Sequence, residues 1–162
     1  MNIAKSNEGK VAQPTMRVRR VDPSAVVGVR ESVLWPGKPE MCTLPEDRGN
    51  AVHLAAMEED LSLPASNVCG VLSLFLPDAA GGTATFRKLA VEAPFRKRGL
   101  ASALIETAAA EARLAGASAL ACDARASQCD FYVARGFARD SEPFDKYPGK
   151  GGEQYVRMKM EL

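Results

Sequence analysis

The chain has 162 residues, enough for one domain with a proper core and too few for two ordinary ones. With 21 Lys and Arg against 20 Asp and Glu the net charge is +1, so no global basicity points to nucleic acid or to an anionic membrane as partner. Four cysteines without C-x-x-C spacing and a single histidine, His53, exclude a closely spaced Cys/His zinc cluster, and no metal is expected. Cys42, Cys69, Cys122 and Cys129 read as reduced thiols, no apolar run reaches membrane-span length, and residues 1–13 are polar rather than signal-like. A cytoplasmic protein is the expectation.

In chain order, residues 1–13 offer almost nothing to bury and read as a disordered tail, with the ordered domain spanning residues 14–162. Residues 16–21 alternate apolar and basic side chains as a strand does, and Asp22-Pro23 then supplies an N-cap and a proline at the first helical position. The helix is expected to run to about Leu34, where Trp35-Pro36-Gly37-Lys38-Pro39 ends it and a long loop follows to Asn50. Residues 51–57 and 67–76 are rich in Val, Leu and Ala and suggest an antiparallel hairpin. Residues 83–91 form a further strand, and Glu92-Ala93-Pro94 turns the chain toward a glycine loop.

A helical pattern over residues 99–115 places Leu100, Leu104, Ala108, Ala112 and Ala115 on one stripe, with Ser102, Glu106 and Arg113 opposite and Gly116 as the stop. Glu111 falls inside the apolar arc. Residues 117–122 then read as a short buried strand, 127–135 as a helix stopped at Gly136, 137–139 as a strand start, and 154–160 as the strand that closes the sheet.

The junction Arg96-Lys97-Arg98-Gly99-Leu100-Ala101 lies between a strand and a helix. Unpaired N–H groups and the positive end of the helix dipole favour an anion there, and Gly99 and Ala101 leave room for a phosphate to approach the main chain. This spelling, with the later Phe131-Tyr132-Val133-Ala134-Arg135-Gly136-Phe137, resembles the GNAT superfamily of acyl-CoA-dependent N-acyltransferases. One helix and one strand separate the two elements, as in that family. Features of residues 30–39 and of Tyr155-Val156-x-Met158 resemble a smaller subset of it.

The resemblance implies an α/β fold with a central mixed, mostly antiparallel sheet flanked by helices, strands four and five splaying apart to admit an acyl-pantetheine arm. It implies acetyl-CoA as acyl donor, with the main chain of Leu89, Ala90 and Val91 along pantetheine, and Arg96, Lys97, Arg98, Gly99, Leu100, Ala101 and Ser102 around pyrophosphate. A main-chain N–H near Val91 would hold the developing oxyanion, and Tyr132 would be the general acid for the departing thiolate. Two positions depart from the common family pattern, with Arg125 seven residues before this tyrosine and Gln128 four before it.

Asp123 and Arg125 end the fifth-strand pattern on the expected acceptor side, where Asp123 could hold an amine and Arg125 a carboxylate; a surface ion pair is the alternative. The attacking amine must first lose a proton. A lysine-like amine is neutral only about once in 2,500 at pH 7, a penalty near ~4.6 kcal/mol that a base or desolvation must offset. His53, Glu58 and Glu59 are candidates, although a lone histidine in an apolar strand is more often structural.

Residues 34–50 and 142–154 are expected to border the acceptor cleft. Cys122 and Cys129 lie near the site, yet with no histidine close in sequence they read as inert thiols rather than as covalent intermediates. The expected activity is transfer of acetyl from acetyl-CoA to a primary amine by direct attack in a ternary complex, without nucleic-acid or membrane partners. A non-catalytic acyl-CoA sensor or interaction module is the alternative. Dimers are common in the family, so a homodimer is the assembly the resemblance suggests.

Overall fold

Among the described residues, seven strands form one sheet, in which two inner strands, Ala51–Glu59 and Asn67–Phe75, carry continuous buried runs. A computed structural model describes residues 14–59 and 67–162; the tail assigned to residues 1–13 lies outside the described residues. The strands are β1 (Thr15–Val21), β2 (Ala51–Glu59), β3 (Asn67–Phe75), β4 (Thr83–Val91), β5 (Ala119–Arg125), β6 (Ala138–Arg139) and β7 (Tyr155–Glu161). Their order is β1-β2-β3-β4-β5-β7-β6. All neighbouring pairs are antiparallel except β4 with β5, so the sheet is mixed and mostly antiparallel. β7 does not form the sheet edge; it lies between β5 and the short β6, a placement that strand order in sequence does not reveal.

One face of the sheet carries α2 (Leu100–Leu114) and the short α3 (Cys129–Val133); the other carries α1 (Val27–Val29), flanked by a 3-10 turn, Pro23–Val26, and a π-helical turn, Arg30–Leu34. Pro23 sits at the start of its turn as expected, but the Asp22 side chain makes no capping hydrogen bond. In α2, Leu100, Leu104, Ala108 and Ala112 are buried against Leu54, Leu72, Leu74 and Phe86. Each fully buried leucine contributes roughly 1.5–3 kcal/mol.

Ala115, expected on that buried stripe, is exposed because the helix has already ended. Gly116 adopts φ 79°, and the Gly116 and Ala117 N–H groups close back onto the Arg113 and Ala112 carbonyls at 2.9 and 3.0 Å. This closure uses the main chain of Ala117, and β5 therefore begins at Ala119 and runs on to Arg125. Glu111, the charge within the apolar arc, is paired with Arg20 of β1, whose Nε donates to Oε1 at 2.9 Å.

Candidate functional site

β4 and β5 pair only over Thr83–Thr85 with Ala119–Ala121. Beyond Thr85 the two strands part. Between the pairs Ser73↔Arg87 and Val71↔Ala90, both Lys88 and Leu89 lie opposite the single Leu72, a bulge with Lys88 at φ 59°. The extra residue resets the alternation of side chains. Phe86, Leu89 and Val91 pack on the α2 face, whereas Ala90 packs with Val26, Val29 and Val71 on the α1 face.

Main-chain directions follow from the same count. The Glu92 N–H donates to the Cys69 carbonyl of β3 at 2.8 Å, so alternation turns the polar groups of Leu89 and Val91 away from β3, toward the gap. β5 does not pair with them there. The Val91 carbonyl instead accepts a hydrogen bond from Arg96 Nε at 3.0 Å.

The gap opens onto the glycine loop. Lys97 at φ 60° and Gly99 at φ 79° give the turn its left-handed residues, and Gly99 caps α2 with no side chain in the way. A cleft of about 140 Å³ is lined there by Val91, Phe95, Arg96, Lys97, Gly99, Leu100, Ala101 and Ser102, with Phe131 and Arg135 facing them. Leu89, Ala90 and Arg98 lie outside this cleft; Arg98 rests over the Phe95 ring at 5.3 Å.

Arg135 was not singled out by the sequence. Its Nε donates to Ser102 Oγ at 2.8 Å, its Nη1 donates to the Phe131 carbonyl at 2.5 Å, and its guanidinium stacks 3.5 Å above the Phe131 ring. A larger groove of about 570 Å³ continues from Ser102 and Arg135 along Ile105, Glu106, Ala109 and Arg113. The arrangement can hold an extended anionic ligand.

Tyr132 projects from α3 into an aromatic cluster, with ring centroids 5.0, 5.7 and 6.2 Å from Phe131, Phe137 and Phe86. Its hydroxyl and the Cys122 thiol of β5 influence each other's protonation. Burial, reinforced by Cys122, raises the phenol above its ordinary range, so the hydroxyl stays protonated and can donate to sulfur. Burial and the Asp123 charge push the Cys122 thiol up to about 12, leaving no thiolate at neutral pH.

On the α1 face, Asp123 is an ion-pair partner. Arg157 Nε lies 2.5 Å and Lys146 Nζ 3.0 Å from its carboxylate, and these contacts outweigh burial to hold it below its usual pKa. Arg125 is exposed at the end of β5. Lys146 brings the segment expected to border the cleft against β5, and Tyr147 stacks edge-on with Tyr155 at 5.8 Å.

His53 is buried and spoken for. Arg30, 0% exposed, donates to Asp47 at 2.6 and 3.0 Å, to the Cys42 carbonyl at 2.8 Å and to Ser73 Oγ at 2.7 Å. Ser73 Oγ is in turn hydrogen-bonded to His53 Nδ1 at 2.8 Å, and His53 Nε2 donates to the Asp47 carbonyl at 3.1 Å. Glu59 pairs with Arg17 and Arg19 of β1. Neither residue presents a free base to the gap. No group of His, Cys, Asp and Glu suited to a metal occurs among the described residues, and no helix among them is long and apolar enough to cross a membrane.

Solved structures share this architecture. A Lactobacillus plantarum protein assigned as an N-acetyltransferase superposes with a TM-score of 0.75 at 16% identity, covering 91% of this chain and 99% of its own. An IAA acetyltransferase from Bacillus cereus gives 0.66 at 19% identity, covering 91% and 100%. A GNAT family acetyltransferase from Elizabethkingia anophelis with acetyl-CoA bound gives 0.62 at 14% identity, covering 91% and 98%. At these identities the likeness is one of fold. No curated protein matches the chain. The model of the acetyltransferase (GNAT) family matches residues 29–137, two helices and the strands around the gap included, and the chain therefore belongs to that family.

Proposed function

We propose that the protein is a cytoplasmic N-acetyltransferase that moves an acetyl group from acetyl-CoA to a primary amine by direct attack in a ternary complex. The observation that carries this reading is the continuity of the unpaired β4 main chain at Leu89 and Val91 with the basic glycine loop at Arg96 to Ser102. One strand edge can pair with pantetheine while the loop N–H groups, helped by Arg135, bind pyrophosphate. The groove along α2 has room for the nucleotide end.

In this mechanism the amine attacks the thioester carbonyl carbon, and a main-chain N–H near Val91 stabilises the oxyanion. As the tetrahedral intermediate collapses, the carbon–sulfur bond breaks and Tyr132 gives its proton to the departing thiolate. The amide product loses its extra proton to solvent, and solvent reprotonates Tyr132. Cys122 has no thiolate to offer, which supports direct attack over an acyl-cysteine route. Four free cysteines support the cytoplasmic assignment.

Arg125 and Gln128, which depart from the common family pattern, motivate a second reading, an acyl-CoA sensor without turnover. Calorimetric titration with acetyl-CoA tests the shared premise, comparing the native protein with Gly99→Glu, which puts a carboxylate in the loop. Binding should be lost in the variant. Thiol release across an amine panel then separates the enzyme from the sensor, and absence of native binding removes both.

A further inference from the structure

Lys88 is an unusual place for a charge. The bulge takes its side chain off the α2 face, where unbroken alternation from Ala84 and Phe86 would have put it, and its Nζ rests 4.0 Å from the centroid of the Trp35 ring. It is half-buried and pairs with no carboxylate among the described residues. The carboxylate that acts on it most, Asp47, is already engaged by Arg30.

Across the gap stands a second ammonium. Thr85 pairs with Ala121, so Arg87 and Asp123 are each two residues past the last paired position, and the Lys88 bulge and Asp123 stand at about the same height on the two sides of the opening. Asp123 holds Lys146 at 3.0 Å as well as Arg157 at 2.5 Å, two cations sharing one carboxylate. Lys146 exerts the strongest like-charge repulsion on Lys88. On the same face, Arg87 has its own partner, Glu46, at 3.4 Å.

From this arrangement we infer that the acceptor is an amino-carboxylate, an amine that bears a carboxylate in the same molecule, and that Lys88 and Lys146 bind that carboxylate from opposite sides of the gap. The inference rests on the acetyltransferase reading above and narrows its substrate. An amino acid fits the chemistry: its carboxylate relieves the repulsion between the two ammonium groups, while its amine reaches toward the carbonyl end of the gap. A polyamine would add positive charge where positive charge is already in excess. Asp123 then acts as the holder of Lys146 rather than as an amine site. Loss of one anion partner is felt most by a half-buried cation, and burial together with Lys146 brings the Lys88 amine down to about 8, as expected of a cation waiting for a counter-ion.

The test is thiol release from acetyl-CoA with a panel of free amino acids, their C-terminal amides and spermidine. Wild-type protein should favour the free acids over the amides by about tenfold or more in kcat/KM, the size expected for one charge-assisted contact. Lys88→Met should bring that ratio toward one, chiefly through KM, and Lys88→Arg should restore it. Lys146→Met, in a surface segment, gives the same readout should Lys88→Met fold poorly. Amides or spermidine accepted as well as the free acids would overturn the inference and leave acetyl transfer standing. Acetyl-CoA binding without turnover of any amine would remove the transfer reading and this inference together.

Discussion

Tyr132, from α3, and Cys122, from β5, pack in the same core beside the gap between β4 and β5, and each acts on the other's protonation. A phenol that burial keeps protonated is in the state a proton donor to a thiolate requires. Tyr132→Phe keeps the aromatic packing and removes only the hydroxyl. Its kcat should fall by roughly 10²–10⁴-fold, while calorimetry should show acetyl-CoA affinity little changed. A variant running at the wild-type rate would move the acid role away from Tyr132.

Cys122→Ala should retain activity, because a thiol pushed up to about 12 supplies no nucleophile near neutral pH. The same group affects alkaline stability. In the unfolded chain it ionises near its ordinary value of 9.0, whereas in the fold it resists until about 12, so the folded state keeps a proton that the unfolded state releases. Stability is therefore full below about pH 9 and declines as pH rises through that window. Thermal melts between pH 8 and pH 11, taken as ~0.5-unit steps, should show a shallower decline for Cys122→Ala.

Asp47 is expected to be the most sensitive charge in the fold. Burial by itself would raise its pKa, but hydrogen bonds from Arg30 and from the Leu44 N–H outweigh burial and hold it below the usual carboxylate range. Asp47→Asn leaves Arg30 buried without its counter-ion and should cost about 3–5 kcal/mol in urea unfolding. In the wild-type protein this contribution is present above about pH 4 and lost as pH falls further, since the folded pKa is the lower one.

Arg135→Ala should weaken acetyl-CoA binding by roughly tenfold to a hundredfold, the range for one lost charge-assisted hydrogen bond. Ser102 also loses a partner in that variant, so Arg135→Lys is the better control for charge alone. Equal affinity in both variants and wild type would place the guanidinium outside the cofactor's reach.

Where the pattern was local, the sequence was legible. β4 runs over the nine residues expected, and α2 falls within one residue of its expected ends. The glycine loop was readable for the same reason, because a strand, a turn and a helix N-terminus occur there in succession. What escaped is long-range. Arg30 meets Asp47 and Ser73, 17 and 43 residues away, and no periodicity links them. Arg135 reaches Ser102 across 33 residues. Glu111 looked misplaced only because Arg20, 91 residues earlier, could not be seen beside it. The bulge at Lys88 left no local mark either, since a lysine in an alternating strand reads as an outward-facing residue whether or not one residue is extra.

That extra residue has a consequence for how this chain can vary. Substitution at Lys88 changes one side chain; deletion of it removes the bulge and leaves Leu89 directly after Arg87, where plain alternation keeps it on the α2 face. Leu89 and Val91 would keep their side chains on that face and their amides and carbonyls toward the opening, and the lysine beside Trp35 would be lost. A one-codon loss here therefore spares the strand edge that continues into the glycine loop and removes only the cation on the opposite face.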